Sequence, residues 1–327
     1  MNTIGLLKKS GIIILYCLFL MLLTEGVVRG YLAVNMIYDV EMTRYSNLLK
    51  KDSMNADIGH EHIPNSAARL MGVDVRINSD GLRGKPYRIE HTGAFRIAVL
   101  GDSLTFGWGV EEQDTFATRL EAALRRLGPA EVLNFGTGNY NTSQEVSLFA
   151  EKGIKYEPDM AVLFYFINDA EETPTKSKWW WLGYSRAITF YWSRVHSLIA
   201  NQSGGNSFSD YYSGLYREGM PGWEKTKRSL LRLKEICRGL DIPLQVFLLP
   251  ELHNLKAYPF RREHAMVIDF LRSNRIPVHD LLTEFQRFRG DSMSLWVSYD
   301  DAHPNAVAHG MIATYASETI KQRMEVR

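Results

Sequence analysis

Three residues whose types could together activate a hydroxyl stand far apart in this chain. Ser103 lies in "VLGDSLTFGWGV" (99–110), and Asp300 and His303 lie in "YDDAHPN" (299–305). A serine hydroxyl is a weak nucleophile near neutral pH. It needs an imidazole to take its proton, and that imidazole needs an acid to hold its tautomer. Asp300 and His303 are three residues apart, just before a helix-like stretch, and a short turn at that spacing can set an acid beside an imidazole. Asp301 competes for the same role. Acyl chemistry also needs donors aimed at a developing oxyanion. The candidates are the Ser103 backbone N–H, the backbone of Gly138 or Asn139 in "NFGTGNYNTSQE" (134–145), and the side-chain amide of Asn168 in "FINDAEE" (166–172). Each feature alone is ordinary: a serine in a glycine-rich turn, an asparagine in a turn, a histidine in a loop. Their joint occurrence at the ends of apolar runs is what points to a nucleophile.

Two other readings of the glycine-flanked serine fail on chemistry. A phosphate-binding loop of the Walker type needs a Gly-Lys-Ser/Thr end, and no lysine is present. A dinucleotide fingerprint needs G-x-G-x-x-G, whereas "FGWG" and "FGTG" supply only G-x-G. A nucleotide cofactor is therefore not expected, and no other cofactor is. His60 and His62 flank Glu61 but lack the i, i+4 spacing that sets two imidazoles on one helix face, so a plain surface loop is expected there. Asp102 and Asp169 read as turn organisers and Glu111 and Glu112 as a solvated face. His253, His279 and His309 read as surface or packing histidines.

The four blocks, in this order, resemble those of the GDSL/SGNH hydrolase family. Gly101-Asp102-Ser103 matches its first block, "NFGTGNYNTSQE" is similar to the second, "FINDAEE" to the third and "DDAHPN" to the last. The likeness covers roughly residues 96 to 320, and "VRINSDGLRG" resembles the lead-in of membrane-anchored bacterial members. The resemblance implies a flavodoxin-like, three-layer α/β/α sandwich. It implies Ser103 as nucleophile, His303 as base and, by family spacing, Asp300 as the orienting acid. It also implies oxyanion donors from the Ser103 N–H, the second-block backbone and Asn168. The sequence departs from the pattern twice. Phe166 stands where the third block usually has glycine. Counted from Asn134, the second block's glycine falls at Asn139, with Gly138 one place earlier. A backbone N–H survives any side chain, and asparagine tolerates positive φ better than most residues.

Such residues need a frame. "FRIAVLG" (95–101), "EVLNFG" (131–136), "DMAVLFYFIND" (159–169), "IPLQVFLLP" (242–250) and "IPVHDL" (276–281) read as strands, mostly apolar throughout. Helical periodicity marks 115–128, 143–156, 222–241, 264–274 and 305–324. Strands alternating with helices predict a five-stranded parallel sheet covered on both faces, with ligands beyond the carboxyl ends of the strands. Residues 32–94 read as a linker and a small β-rich prelude, and 95–327 as the hydrolase domain. Within it, 171–221 is an insert dense in Trp and Tyr. Its Trp179, Trp180 and Trp181 are candidates for contact with substrate, and a packed helical subdomain explains the same aromatics equally well.

The 327 residues carry a formal net charge of +1, which supplies no global basic field for nucleic acid. Two cysteines, Cys17 and Cys237, exclude a disulfide framework and a zinc site built on paired cysteines. Lys8 and Lys9 precede "GIIILYCLFLMLL" (11–23), apolar on every face, and Glu25 breaks the less pure apolar stretch beyond it. An uncleaved signal anchor is expected over residues 1–31. It would sit in the inner membrane through residues 11–31, with the bulk of the chain on the periplasmic side. The sequence thus predicts an extracytoplasmic serine esterase acting on an acylated envelope polysaccharide or lipid. An O-acyltransferase would use the same triad. A non-catalytic envelope-binding scaffold and a metal-dependent hydrolase built on Asp300, Asp301 and His303 are the alternatives from other classes.

Overall fold

The computed structural model describes residues 3–173, 180–202 and 208–324. In chain order the elements begin with helices α1 (Thr3–Leu32) and α2 (Tyr38–Leu49) and the short strands β1 (Lys50–Asp52), β2 (His60–His62), β3 (Ala67–Leu70) and β4 (Val73–Arg76). Next come β5 (Phe95–Leu100), α3 (Ser103–Phe106), α4 (Phe116–Leu124), β6 (Ala130–Asn134), α5 (Thr142–Glu151) and β7 (Met160–Tyr165). After these stand α6 (Arg186–Gln202), α7 (Phe208–Leu215), α8 (Pro221–Gly239), β8 (Leu244–Leu248), α9 (Arg261–Ser273), β9 (Val278–Asp280) and α10 (Leu282–Gln286). The chain closes with β10 (Trp296–Ser298), β11 (Asp301–Pro304) and α11 (Ala306–Met324).

Two compact units form. One comprises Met1–Asn47 and Lys176–Gly205, the other Leu48–Thr175 and Asn206–Arg327. These boundaries differ from those expected. The prelude from Leu48 onward falls in the unit that holds the sheet, and Lys176–Gly205 of the expected insert falls in the other.

The larger unit is built on a five-stranded sheet in the order β6-β5-β7-β8-β9, parallel throughout. This is the flavodoxin-like α/β arrangement. Every residue of β5 and β7 is buried, as a sheet covered on both faces requires. The chain runs outward from β5 to β6 through α4, then back past β5 to β7 through α5, and such parallel crossovers are right-handed as a rule. That reversal puts α4 and α5 on opposite faces. Helix α11 packs on α4, and α8 packs on α5. Ala308, Ile312, Ala316 and Ile320, four residues apart, bury one side of α11. The reversal also puts the topological switch point at the carboxyl ends of β5 and β7, the crevice position where such sheets bind ligands.

His309 is a packing histidine. It is fully buried, stacks on Phe116 at 5.3 Å, and its Nδ1 accepts from the Phe116 N–H at 3.0 Å. Burial, with smaller contributions from nearby cationic groups, holds its pKa down near 3, against an ordinary 6.5. The folded chain therefore binds fewer protons at this site than the unfolded chain between those values. Its contribution to stability is complete above about pH 6.5 and is lost as pH falls toward 3. The unfolding free energy of wild type should fall more steeply over this window than that of His309→Asn. The slopes should differ by up to about 1.4 kcal/mol per pH unit. Denaturant titrations at several pH values measure it, and equal slopes would show that His309 makes no such contribution.

In the smaller unit α1 is one continuous helix, and Lys9–Leu32 is long and apolar enough to cross a membrane. Ile12 to Leu23 are exposed along it. Glu25 is not left bare. Its carboxylate accepts from the Ser185 hydroxyl (2.7 Å) and from the Arg186 and Ala187 N–H groups (3.0 Å each) at the start of α6, and from Arg29 Nε (2.7 Å). Val28, Leu32, Val40 and Ala187 form a small core beside it.

Candidate active site

Strand β5 delivers Ser103 to the crevice. The strand ends at Leu100, and Gly101 makes the bend at φ +156. A Cβ there would stand 2.0 Å from Thr105 Oγ1, so the close approach excludes any side chain. Asp102 caps the one-turn helix α3, its Oδ1 accepting from the Leu104 N–H at 2.8 Å. Gly107, at φ +85, ends the turn, and the Trp108 N–H returns to the Ser103 carbonyl at 3.0 Å. Arg83 of the prelude braces this turn from outside: its guanidinium donates to the carbonyls of Phe106 (2.9 Å), Gly107 and Val110.

Ser103 Oγ lies 2.8 Å from His303 Nε2. His303 Nδ1 lies 2.5 Å from Asp301 Oδ1, which also accepts from the His303 N–H at 3.1 Å. A carboxylate can only accept, so Nδ1 carries the proton and Nε2 presents its lone pair to the serine hydroxyl. The acid beside the imidazole is therefore Asp301, where Asp300 was expected. The reason lies in local structure. A three-residue spacing suits a turn, and a turn is what the sequence suggests here. The chain instead forms β11, paired with β10, and side chains two apart share one face of a strand. Asp301 and His303 share that face. Asp300 lies outside the strand, exposed, its Oδ1 accepting from the Ser298 hydroxyl at 2.6 Å.

Asp301 is almost fully buried, and its second oxygen accepts from the Trp108 indole N–H at 2.7 Å. Burial alone would raise its pKa. The contacts with His303, together with the Trp108 bond, outweigh burial and hold the carboxyl below its usual range. Trp108 does not stand out in the sequence, because an indole in "GDSLTFGW" reads as core. In Trp108→Phe a buried carboxylate oxygen loses its donor. We expect a loss of about 2 kcal/mol in unfolding free energy at pH 7, read by chemical denaturation. No change in the denaturation midpoint would mean that the bond contributes nothing net.

The other two strand ends converge on the same crevice. After β7, residues Ile167–Ala170 form a short 3-10 turn in which the Phe166 N–H donates to Asp169 Oδ2 at 2.9 Å. Asn168 Nδ2 donates to Asp102 Oδ2 at 3.0 Å, and Asn168 Oδ1 is buried with no partner among the described residues. After β6 the loop is held to the serine turn by the Thr137 N–H, which donates to the Gly101 carbonyl at 3.1 Å. Asn139 adopts the left-handed conformation, φ +64, at the position where the resemblance placed a glycine. The Gly138 carbonyl faces the prelude, accepting from Lys50 Nζ at 2.6 Å and from His60 Nε2 at 3.1 Å. His60 and His62 are thus not in a plain surface loop. They sit on β2, and His62 is buried, its Nδ1 3.0 Å from the Gly81 carbonyl.

Of the tryptophans considered for substrate contact, Trp179 lies outside the described residues. Trp180 begins a 3-10 turn (Trp180–Tyr184) and Trp181 is exposed. Trp181 belongs to the smaller unit, where it lines an apolar groove with Leu20, Met21, Ile188 and Trp192. Among the described residues no group of three or more His, Cys, Asp and Glu side chains is placed to hold a metal ion.

Residues 99–311 match the model of the GDSL-like lipase/acylhydrolase family, about two thirds of the chain, and the chain belongs to that family. It is accordingly a serine hydrolase acting on ester bonds. None of the curated proteins matches it. Among solved structures it is similar to a G-D-S-L family lipolytic protein from Desulfitobacterium hafniense (15% identity, 68% of this chain and 98% of that one, TM-score 0.44). It is also similar to an acetylxylan esterase from Geobacillus stearothermophilus (15%, 72% and 96%, 0.45) and a lipase/acylhydrolase from Enterococcus faecalis (14%, 70% and 96%, 0.44).

Proposed function

We propose that Ser103, His303 and Asp301 form a catalytic triad that cleaves an ester through an acyl-serine intermediate. The observation that carries this is the unbroken pair of hydrogen bonds, 2.8 Å and 2.5 Å, running from the serine hydroxyl through the imidazole to a buried carboxylate. As Ser103 Oγ bonds to the ester carbonyl carbon, its proton passes to His303 Nε2 and the carbonyl π pair moves onto oxygen. The resulting oxyanion is met by the Ser103 N–H, the Asn139 N–H and the second N–H of the Asn168 amide, whose first N–H is spent on Asp102. Collapse re-forms the carbonyl and expels the alcohol, which takes the proton from His303. Water, deprotonated by the same imidazole, then attacks the acyl-serine and returns Ser103 and the free acid. A sugar hydroxyl in place of water would give acyl transfer. Asp301 stays ionised throughout and stabilises the imidazolium.

Place and substrate class complete the proposal. Helix α1 anchors the chain in the inner membrane and the larger unit works on the periplasmic side, on an acylated polysaccharide or lipid of the envelope. Supporting this are the apolar, largely exposed run of α1 with Lys8 and Lys9 before it, and the exposed Trp181, Tyr184, Tyr191 and Trp192 of the same unit.

A fluorophosphonate probe tests the nucleophile: wild type should label and Ser103→Ala should not, and equal labelling of the two would end the proposal. A panel of acetylated glycans and acyl esters, scored for released acid and for transfer to added carbohydrate, separates hydrolase from transferase. Protease digestion of intact cells after opening only the outer membrane should remove the larger unit; protection until the inner membrane is broken would contradict export.

A further inference from the structure

The prelude grips the loop after β6 around the peptide that joins Gly138 to Asn139. Lys50 opens β1 and His60 opens β2, and antiparallel pairing of these strands, Lys50 against His62 and Asp52 against His60, brings both side chains to the loop. Lys50 Nζ donates to the Gly138 carbonyl at 2.6 Å and to Asn139 Oδ1 at 2.9 Å. His60 Nε2 is 3.1 Å from the same carbonyl, and since a carbonyl can only accept, Nε2 carries the proton. The Tyr140 hydroxyl donates back to the His60 carbonyl, and the two rings meet edge-to-face at 4.9 Å. Both carbonyl oxygen lone pairs of Gly138 thus have a donor, which fixes the plane of the peptide. In a trans peptide the carbonyl and the following N–H lie in one plane and point in opposite directions. A Gly138 carbonyl held toward the prelude turns the Asn139 N–H away from it. That N–H makes no backbone hydrogen bond among the described residues, and the loop lies against the Ser103 turn through the Thr137 bond to Gly101. The left-handed φ of Asn139 continues the chain from this peptide orientation, and Lys50 ties down its side chain.

We propose that Lys50 and His60 are positioning residues of the reaction: by holding the Gly138 carbonyl they aim the Asn139 N–H at the oxyanion formed on Ser103. The proposal rests on the acyl-serine mechanism. The electrostatics agree with it. Burial and then the Lys50 charge push the His60 pKa down to about 3, so the ring is neutral and can donate from Nε2. Neither Lys50 nor His60 touches the reacting atoms in this scheme; their role is to set one N–H.

The experiment uses the full-length protein in detergent, with 4-nitrophenyl acetate as substrate and an aryl trifluoromethyl ketone as inhibitor. The ketone adds Ser103 and so carries an oxyanion; the ester ground state does not. In Lys50→Met and His60→Leu, kcat should fall about 10- to 100-fold with KM within about twofold of wild type. Affinity for the ketone should fall by the same factor as kcat/KM. His60→Gln, which keeps an amide donor, should recover part of the loss, and it serves as the readout if Lys50→Met does not fold. Wild-type kcat in the first two variants overturns the proposal. So does a fall in kcat with undiminished ketone affinity, which would mark a merely structural role. Hydrolysis that persists in Ser103→Ala would instead remove the acyl-serine mechanism itself.

Discussion

Ser103→Ala is expected to lower kcat by about 10^4- to 10^6-fold while leaving the fold intact. The hydroxyl is the attacking atom, and no neighbour can replace it. Its hydrogen bond in the structure runs to His303 Nε2, and the backbone features that make the turn do not involve the side chain. Asp102 still caps α3, Gly101 still makes the bend, and Arg83 still holds the carbonyls of Phe106 and Gly107. Thermal unfolding should therefore shift by no more than a few degrees. His303→Ala should cost a similar factor, and the double variant should be scarcely worse than either single one. Residues that act as one unit give non-additive losses, because once the base or the nucleophile is gone the other has nothing to do. The residual rate should be that of the oxyanion donors and substrate binding alone. Steady-state rates with 4-nitrophenyl acetate, on protein freed of contaminating esterase, measure all three. Losses that multiply in the double variant would mean that Ser103 and His303 act separately.

How much of this is legible in the sequence depends on whether the cause is local. Strands β5, β7 and β8 are legible because each is an apolar run bounded by turn residues, and full burial leaves no alternation to confuse the pattern. Ser103 and Asn168 are legible as candidates because a small or polar residue directly after such a run stands at the mouth of a parallel sheet. The features that escape depend on pairing between distant segments. Whether Asp300 or Asp301 meets His303 is a question of strand against turn. β11 exists because β10 pairs with it, which no four-residue window reveals. Trp108 reads as an apolar core residue, and its acceptor is 193 residues away. Lys50 and His60 lie 88 and 78 positions from Gly138, in the stretch expected to hold a linker and a small β-rich prelude. Arg83, in the lead-in that carries part of the family likeness, is buried with its guanidinium on backbone carbonyls of a turn more than twenty residues away.

The choice of acid is the sharpest difference between sequence and structure, and two single substitutions of equal chemical size decide it. Asp301→Asn should lower kcat by about 10^4-fold, whereas Asp300→Asn should leave it within about twofold. The first expectation comes from counting donors and acceptors. Asp301 presents two acceptor oxygens to three donors: His303 Nδ1–H and the His303 N–H share Oδ1, and the Trp108 indole N–H takes Oδ2. An asparagine has one acceptor oxygen and one NH2. If the oxygen faces Trp108, the NH2 faces His303 Nδ1 and forces the proton onto Nε2, where it blocks acceptance from Ser103. If the oxygen faces His303, the buried indole and the NH2 oppose each other donor to donor. The substitution also removes the negative charge that stabilises the imidazolium. Asp300 has none of these obligations: it is exposed, and its hydrogen bond to Ser298 survives as an amide oxygen accepting from a hydroxyl. The reverse pattern, with Asp300→Asn inactive and Asp301→Asn near wild type, would restore the three-residue spacing and require β11 to be a turn in solution.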